Sequence, residues 1–382
     1  MKRKTKWIFT IIAIVLFLVL GSMLSGEPLS SRAMVVGFGI DLTEDGKLEV
    51  SAQILQAGKG SDTAAMNSRV VTGTHDTIAG ALGKVSEKTG LTVTLTHCNV
   101  VLLGRKTAES RDVYSVMNYL ITNNYLSENA YLFATDGKAG ELLNTKTGFG
   151  GNASLYIQQL IGQYGEYNDV GSRTLQQFVV DYHRPCHANW LPLITTEPVD
   201  PEISESAASD GGSSKETEYT FNVNSVMLYD QNAFIAEHGP DGMKAINYVK
   251  NKIKKGNLEA KGDNDEEIVL YILDKKTSLK YDYETLTVNI KVEIDAILKE
   301  IIDNSSDDKF VDRTAVTDTE IKTAEDNVKN VIEEFFSALQ EYKLDVFGFC
   351  EGFYARFGKK AEGLCAKDMN IQVEVKVKVG NI

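Results

Sequence analysis

An apolar segment close to the N-terminus constrains this chain more than any other feature. Four of the first six residues are basic, and residues 7–20 then form a strongly apolar run. Extended to Leu24, the run holds about 18 residues, the shortest length that crosses a hydrocarbon core of about 30 Å. Basic residues in front of such a run keep that end in the cytoplasm. We therefore predict that residues 1–25 are a single membrane anchor or signal segment, and that the chain from Glu27 onward lies on the outer face of the membrane.

Two interpretations of this segment are open. A cleaved secretory signal needs small residues just before the cleavage site, and residues 21–26 offer only poor versions of that pattern. An uncleaved transmembrane anchor is therefore favoured over a cleaved signal. Attachment of a lipid would need a cysteine at the end of the apolar run, whereas the first cysteine of the chain is Cys98. No lipidation site is predicted.

Length, charge and cysteine content bound the rest of the chain. A chain of 382 residues is long for one hydrophobic core and indicates two or three domains beyond the anchor. The net charge of −13 argues against nucleic acid as a partner, because phosphates need a basic face. The four cysteines, Cys98, Cys186, Cys350 and Cys365, are too scattered for a dense disulfide framework. Buried thiols are favoured, and a bridge between Cys350 and Cys365 is the alternative.

Residues 33–194 are predicted to form an N-terminal α+β domain. Two alternating segments, 34–41 and 47–56, flank the pair Asp45-Gly46, which is typical of a β-hairpin. Asp76 is expected to cap the next helix and Gly90 to end it. The further predicted elements are strands at 91–103 and 130–133 and helices at 76–88, 111–122, 152–164 and 174–180. Strand pairs that alternate with single helices indicate an α+β layer rather than regular βαβ winding.

The next part of the chain is predicted to be a linker and a small sheet. Residues 195–219 are rich in Pro, Ser, Asp, Glu and Gly, which is typical of an acidic linker. Residues 220–283 are predicted to form a middle antiparallel β domain that begins with a hairpin around Asp230-Gln231-Asn232. A short helix at 241–248 ends in the basic cluster 250–255. We interpret this cluster as the solvated end of the helix, with an anion site as the alternative.

Residues 284–382 are predicted to form a C-terminal α+β domain. Residues 285–298 and 371–379 alternate over matched lengths, so they are predicted to share a sheet although they are far apart in sequence. Residues 319–342 repeat apolar side chains at three- and four-residue steps, which predicts a long helix over that sheet. The complete prediction is a multi-domain α+β ectodomain of mixed or antiparallel sheets with packed helices, preceded by the N-terminal segment.

The common catalytic and metal-binding motifs are absent from the sequence. There is no HExxH, GxSxG or Walker pattern, and no GxGxxG follows a predicted strand. His183, Cys186 and His187 are metal-ligand types close together, but Arg184 and Pro185 break the helical spacing that would direct both imidazoles at one ion. No metal site is predicted there.

His97 and Cys98 are the other pair that a nucleophile hypothesis could use. They are neighbours on a predicted strand, where adjacent side chains point to opposite faces, so they are not expected to meet. The sequence therefore predicts no catalytic residue, no cofactor and no metal, and a protein that is not an enzyme.

A segment near the C-terminus carries a family resemblance. Residues 341–356 include Asp345, Phe347, Gly348 and Glu351, which fit the pattern Asp-hydrophobic-Phe-Gly-x-Gly-Glu of a turn between two helices, except that Cys350 stands at the second glycine. This segment resembles that of the C subunit of spore nutrient germinant receptors, the Ger(x)C family. Its residues also have a structural reading: Gly348 lets the chain turn, and Asp345 and Glu351 are expected to cap exposed amides. Contact with a partner is the alternative role.

Three further segments are similar to the same family. Gly37, Gly39 and Asp41 lie in a segment that looks like its first strand and hairpin, while residues 97–104 and 239–255 resemble a later strand and a Gly-containing, Lys-bearing helix. Two departures are visible. Residues 23–26 lack the cysteine that family members usually modify with lipid, and Cys350 stands where the family usually has glycine.

The resemblance implies a function. It implies a non-enzymatic subunit of a nutrient germinant receptor on the outer face of the spore inner membrane, acting beside integral membrane subunits of the A and B types in nutrient-triggered germination. A membrane-anchored extracytoplasmic enzyme or cell-wall-binding module is the alternative. Neither the residues nor the resemblance indicates which nutrient is involved.

Overall fold

The computed structural model describes most of the chain beyond the N-terminal segment. The described residues are 7, 11–17, 31–55, 68–110, 113–123, 126–147, 152–184, 188–199, 218–231, 233–250, 252–262, 266–303, 313 and 315–380. Residues 11–17 are helical, and apart from these and Trp7 the predicted anchor 1–25 lies outside the described residues. Across the described ranges, no helix combines the length and the apolar character that crossing a membrane requires.

The larger of two sheets is built mainly from the N-terminal half. Its strands are β1 (Arg32–Leu42), β2 (Leu48–Leu55), β3 (Ser68–His75), β4 (Thr92–Thr94), β5 (Val100–Leu103), β6 (Tyr131–Thr135), β7 (Ala188–Pro198), β8 (Tyr219–Asp230) and β9 (Ala233–His238). The spatial order is β3-β2-β1-β5-β6-β7-β8-β9, with β4 beside β1. The strands β1, β5, β6 and β7 are parallel neighbours, and antiparallel pairs extend the sheet on both sides. The predicted mixed sheet is confirmed, but its parallel centre was not predicted.

The first hairpin follows the sequence pattern. β1 and β2 pair in antiparallel register down to Leu42 opposite Leu48, and Gly46 in the turn has a φ of +76°. This is the left-handed region that favours glycine. The hairpin predicted around Asp45-Gly46 is therefore confirmed.

Helices cover both faces of the larger sheet. They are α1 (Ile78–Thr89), α2 (Arg105–Ala108), α3 (Val113–Asn123), α4 (Ala139–Leu143), α5 (Ala153–Tyr164) and α6 (Leu175–Tyr182). The helices α1, α3 and α6 share one apolar core with the sheet, while α4 and α5 share a core on the opposite face. At the start of α1 the side chain of Thr77, not the predicted Asp76, accepts the amide of Gly80, and Gly90 ends the helix with a φ of +67°.

The single strand predicted at 91–103 is two short strands, β4 and β5, joined by a turn. In this turn His97 is exposed and Cys98 is buried. The amide of Cys98 donates to Leu95 O at 3.0 Å, and its Sγ donates to Val100 O at 3.3 Å. The thiol and the amide of Cys98 thus stabilise the turn by hydrogen bonds to local carbonyls. The alternation of apolar residues in the sequence gives no sign of these contacts.

The smaller sheet and its helices form the C-terminal half. They are α7 (Pro240–Val249), β10 (Asn257–Lys261), β11 (Glu266–Asp282), β12 (Thr287–Asp303), α8 (Asp318–Tyr342), α9 (Phe349–Phe357) and β13 (Asn370–Gly380), with short 3-10 turns at Gly358–Ala361 and Ala366–Asp368. The strand order is β10-β11-β12-β13. The pair β12–β13 is parallel, with Val288 opposite Ile371 and Ala296 opposite Val379, so the predicted shared sheet is confirmed. The predicted long helix is α8, which packs on this sheet.

The strands predicted for a separate middle sheet are divided between the two sheets. β8 pairs with β7 and β9 follows it, so this hairpin extends the larger sheet, whereas β10 and β11 belong to the smaller one. The physical reason lies in β7, whose residues from Ala188 to Ile194 are all buried and therefore need covered faces and a neighbour on each edge. Of the predicted linker 195–219, residues 195–198 belong to β7. Residues 200–217 of it lie outside the described part of the chain.

The helix α7 joins the two sheets. Trp190, Val226 and Leu228 of the larger sheet lie in the same apolar core as Met243 and Ile246 of α7 and the inner face of the smaller sheet. The two halves therefore meet along α7. This junction also holds the C-terminal motif.

Candidate functional site

The C-terminal motif, residues 345–351, is built around a buried carboxylate. Oδ1 of Asp345 accepts the amides of Gly348 at 3.0 Å and Phe349 at 2.9 Å, and Oδ2 accepts the amide of Cys350 at 2.6 Å. Gly348 has a φ of +82°, a conformation that favours glycine. Asp345 thus satisfies the first amides of α9, which otherwise have no acceptor within the helix.

Aromatic rings of the motif and of the following turn of α9 enter the C-terminal core. Phe347, Phe349 and Phe353 are buried. The ring centroids of Phe347 and Phe349 lie 5.2 Å apart, and the ring of Tyr281 meets Phe353 edge-on at 5.0 Å. The motif is therefore fixed by its rings as well as by its carboxylate.

The glycines of the N-terminal motif, residues 36–41, allow helices to approach β1 closely. A Cβ at Gly37 would lie 1.7 Å from Ser154 Oγ, and a Cβ at Gly39 would lie 3.0 Å from the Cβ of Ala139. A side chain at Gly37 would overlap Ser154, and one at Gly39 would be packed unusually tightly against α4. These two positions are packing sites of the first half.

Asp41 at the end of the N-terminal motif repeats the device of Asp345. Its two carboxylate oxygens accept the amides of Ala139 and Gly140, each at 2.9 Å, at the start of α4. A Cβ at Gly104 would lie 1.9 Å from Asp41 Oδ1, so that glycine leaves room for the carboxylate. Burial raises the pKa of Asp41, although the two amides act against this.

The metal hypothesis gains no support from the described residues. His183 Nε2 lies 2.7 Å from the hydroxyl of Tyr114, and that ring stacks on Tyr182 with centroids 3.5 Å apart. Cys186 and His187 lie outside the described residues. Within the described ranges, no three His, Cys, Asp or Glu side chains are grouped so as to hold a metal ion.

A cavity of about 460 Å³ lies where α6, the end of α7, β11 and the C-terminal motif meet. Four cationic side chains and a carboxylate line it: Arg173, Arg184, Lys250, Lys252 and Asp181. We call it the basic cavity. It is unusual in a chain whose net charge is −13.

Arg173 is the most deeply buried of these cations, with a side chain that is 1% exposed. Its guanidinium lies over the ring of Trp190 at 4.7 Å and near the ring of Phe178 at 5.8 Å. Nη2 donates to Gln177 O at 3.1 Å and to Asp181 Oδ2. Burial lowers the pKa of Arg173 to about 10, and Asp181 acts in the opposite direction.

A series of ion pairs links the two halves beside the cavity. Arg184 Nη1 lies 2.8 Å from Asp181 Oδ1, and Arg184 Nε lies 3.0 Å from Glu351 Oε2. Glu351 therefore faces an arginine of the first half. The sequence had suggested that Glu351 caps an amide, and no such contact is seen among the described residues. The Glu351 side chain is 52% exposed.

The two lysines of the basic cavity are held in different ways. The ammonium of Lys252 donates to Ser172 O at 3.0 Å and lies 5.3 Å from the Trp190 ring centroid. The described residues give the ammonium of Lys250 no hydrogen-bond or ion-pair partner. Burial lowers the pKa of both lysines to about 8; Asp181 opposes this at Lys250, and the neighbouring cations add to it.

A third lysine closes the end of α7 near the cavity. Lys275 is 5% exposed, and its ammonium donates to Tyr248 O at 2.6 Å and reaches Asn247 O at 3.4 Å. These carbonyls are at the helix C-terminus, where a cation is favourable. Burial nevertheless lowers the pKa of Lys275 to about 7.

Comparison with known proteins fits this two-part architecture. The family described as spore germination protein N-terminal domain matches residues 25–196, and the family described as spore germination B3/GerAC-like, C-terminal, matches residues 225–382. The chain belongs to the Ger(x)C family. The resemblance drawn from the motifs is thereby confirmed.

The Ger(x)C fold is also recognisable in a solved structure. The crystal structure of the GerBC protein matches with a TM-score of 0.51 and 18% identity, covering 94% of this chain and 100% of that chain. At this identity the match shows the fold. The curated proteins gave no match.

In this Ger(x)C chain the basic cavity lies between the two family domains. From the sequence, an anion site at residues 250–255 was only the alternative interpretation, and the two arginines of the cavity were not predicted. Lys254 is exposed and pairs with Glu166 at 2.6 Å, so the predicted solvated helix end fits that residue. It is wrong for Lys250 and Lys252, which line the cavity. The Lys250–Lys255 run was a visible signal, but nothing local marks Arg173, whose burial depends on residues far along the chain.

Proposed function

We propose that this chain is the non-enzymatic C subunit of a nutrient germinant receptor, required for nutrient-triggered germination of spores. The observation that carries the proposal is the tandem match of both Ger(x)C domains over residues 25–196 and 225–382. The GerBC fold over nearly the whole chain supports it. The partners we propose are integral membrane subunits of the A and B types.

The proposed location is the outer face of the spore inner membrane. The basic N-terminus and the apolar run at residues 7–20 support a single anchor with the cytoplasm on its N-terminal side. The acidic charge of the chain supports attachment through this segment rather than through a basic surface on anionic lipid.

We further propose that the motif residues act as scaffold and that Glu351 is available for partner contact. Asp41 and Asp345 are buried and satisfied by backbone amides, which supports a structural role. Glu351 is half exposed at the junction of the two halves. A partner protein that binds at this junction would contact the Arg184–Glu351 pair.

Deletion of the gene tests the functional proposal. We expect the deletion strain to lose its response to at least one nutrient while germinating normally with nutrient-independent triggers. Re-expression of the wild-type chain should restore the response. Normal germination with every nutrient tested would refute the proposal, as would sedimentation of the protein with purified cell wall in place of the membrane.

Two biochemical experiments test the location and the partners. Protease added to decoated spores should digest the chain beyond Pro28, as it digests an external control and spares a cytoplasmic one. Pull-down of the tagged chain from solubilised spore membranes should recover the A and B subunits. Protection of the chain from protease, or recovery without either subunit, would contradict the corresponding part of the proposal.

A further inference from the structure

The basic cavity concentrates positive charge that the protein itself does not fully balance. Asp181 contacts both arginines, with Arg173 Nη2 on Oδ2 and Arg184 Nη1 on Oδ1. Lys252 meets only a carbonyl oxygen, and Lys250 meets no acceptor among the described residues. The carboxylates of Asp181 and Glu351 therefore face four cations at this site, so the positive charge is only partly balanced.

The unsatisfied polar groups of the cavity wall are all hydrogen-bond donors. Nε and Nη1 of Arg173 and Nε1 of Trp190 are buried without an acceptor. The ammonium of Lys250 adds another donor to the same wall. Buried donors are normally paired, because an unpaired one loses its hydration without compensation. The ligand that suits such a wall is rich in acceptors and negatively charged.

Apolar side chains form the rest of the wall. Trp190, Val249, Leu279 and Phe347 line the cavity together with the cations. Its volume of about 460 Å³ is in the range of small-molecule sites and is far larger than a single inorganic ion needs. The wall thus combines a cationic end with an apolar surface.

We propose that the basic cavity binds a small organic anion, with its carboxylate or phosphate head at Arg173, Lys250 and Lys252 and its apolar body against Trp190 and Phe347. The low pKa of the two lysines agrees with this, because a bound anion would favour their charged forms. The proposal does not depend on the proposed receptor function.

Binding in this cavity would connect the two family domains. Arg173 and Trp190 belong to the domain matched over residues 25–196, whereas Lys250 and Phe347 belong to that matched over residues 225–382. A ligand that contacts both would stabilise the folded chain by RT ln(1 + L/Kd), where L is the free ligand concentration. Ligand binding should therefore also raise the unfolding temperature.

Tryptophan fluorescence offers a direct assay. The chain has two tryptophans, Trp7 and Trp190, so Trp7→Phe leaves the cavity tryptophan as the sole reporter. Full-length Trp7→Phe protein in detergent would be titrated with benzoate, phenyl phosphate, inorganic phosphate and benzyl alcohol. We expect saturable changes with benzoate or phenyl phosphate, and the tighter of the two identifies the head group. Inorganic phosphate and benzyl alcohol should bind at least about tenfold more weakly.

Matched lysine variants of α7 then localise the binding. Lys250→Met should weaken binding of the tighter anion about tenfold or more, because it removes a cation from the cavity. Lys244→Met removes the same charge from the same helix, where Lys244 faces Asp241 at 3.7 Å outside the cavity, and should bind normally. Thermal unfolding of both variants shows that they are folded.

Three outcomes would overturn the proposal. The first is the absence of a saturable change with either aromatic anion. The second is an affinity for benzyl alcohol equal to that for the aromatic anions, because the anionic head would then contribute nothing, or an affinity for inorganic phosphate equal to that for phenyl phosphate, because the apolar body would then contribute nothing. The third is equal binding by the Lys250→Met and Lys244→Met variants.

Discussion

In the C-terminal motif the carboxylate of Asp345 receives three backbone amides, whereas in the adjoining basic cavity the ammonium of Lys250 has no partner among the described residues. Asp41 follows the pattern of Asp345, with two amides on its carboxylate. Arg173 follows that of Lys250, since two of its nitrogens lack acceptors. The difference separates scaffold from site: charge that the fold satisfies contributes to stability, and charge that it leaves unsatisfied is available to a ligand.

The largest effect is expected where the motif loses its carboxylate. Asp345→Ala removes the side-chain acceptor of the Phe349 and Cys350 amides, whereas the amide of Gly348 keeps the Asp345 carbonyl at 3.2 Å, and it should lower the free energy of unfolding by about 4 kcal/mol. Asp345→Asn keeps the Oδ1 acceptor and should lose less than half as much. Urea unfolding of both variants measures this. Equal losses in the two would mean that the amide contacts do not set the stability of the motif.

The N-terminal motif provides the next largest effect. Gly37→Ala places a methyl group against Ser154 and should cost about 3 kcal/mol of unfolding free energy. Gly83→Ala, in α1, meets nothing within 4 Å and should instead stabilise by about 0.5 to 1 kcal/mol, because alanine is the better helix residue. The same urea experiment compares them. A neutral Gly37→Ala would show that the approach of α5 to β1 can relax.

The cavity should respond with the opposite sign. Without added ligand, Lys250→Met removes a partly buried cation that has no partner among the described residues and should raise the free energy of unfolding by about 1 kcal/mol. Lys244→Met should change it by less than about 0.5 kcal/mol, because Lys244 is nearer the surface and has a partner. A loss of stability in Lys250→Met would remove the contrast between motif and cavity.

The same contrast should depend on pH. Because burial lowers the pKa of Lys250 from 10.5 to about 8, the unfolded chain binds more protons than the folded chain between these values. Wild-type stability should therefore rise relative to Lys250→Met between pH 8 and 10.5, while the full penalty of charge burial remains below pH 8. Groups facing Lys250 are Asp181, Arg173, Arg184, Asp345 and Lys252; both proteins share them, and the pKa of Lys252 should be less depressed in Lys250→Met because Lys250 contributes to lowering it. Unfolding midpoints of the pair across this range test it; a constant difference would contradict the low pKa.

The smallest effect is expected at the ion pair between Arg184 and Glu351. Glu351→Gln should lower the free energy of unfolding by about 0.5 kcal/mol or less, because Arg184 and Glu351 are 34% and 52% exposed. If this variant instead blocked nutrient germination in a strain that makes normal amounts of protein, the pair would be a partner contact. A loss as large as that of Asp345→Ala would place Glu351 with the scaffold.

Local patterns predicted the elements whose signals lie within a few residues. The turn at Gly46, the stripe of α8 and the alternation of β12 and β13 each needed only neighbouring residues, and Asp345 caps amides three to five positions ahead. The amides that Asp41 accepts lie almost a hundred positions away, at Ala139 and Gly140. No local pattern could reveal that contact.

The sequence also could not predict which sheet receives a strand. The hairpin β8–β9 has the same local pattern in either sheet, and its pairing with β7 depends on how the apolar run from Ala188 to Ile194 is buried. The basic cavity depends on the same assembly, because Arg173 precedes α6 and Lys250 follows α7, and only the folded chain brings both residues to one wall. The distribution of charged residues along the sequence therefore did not reveal which of them gather at the cavity.

The parallel pairing of β12 and β13 has a consequence for how the chain finds its register. Lys291 lies opposite Glu374, and Glu293 lies opposite Lys376. A slip of two residues would keep the valines and isoleucines on the inner face, yet in one direction it would set Lys291 against Lys376 and in the other Glu293 against Glu374. The native register sets three pairs of opposite charges across the strands, with Asp295 opposite Lys378 as the third pair, whereas either slip leaves one opposite pair beside one like pair. The outer charges thus favour the native register over slips that the apolar face alone would allow.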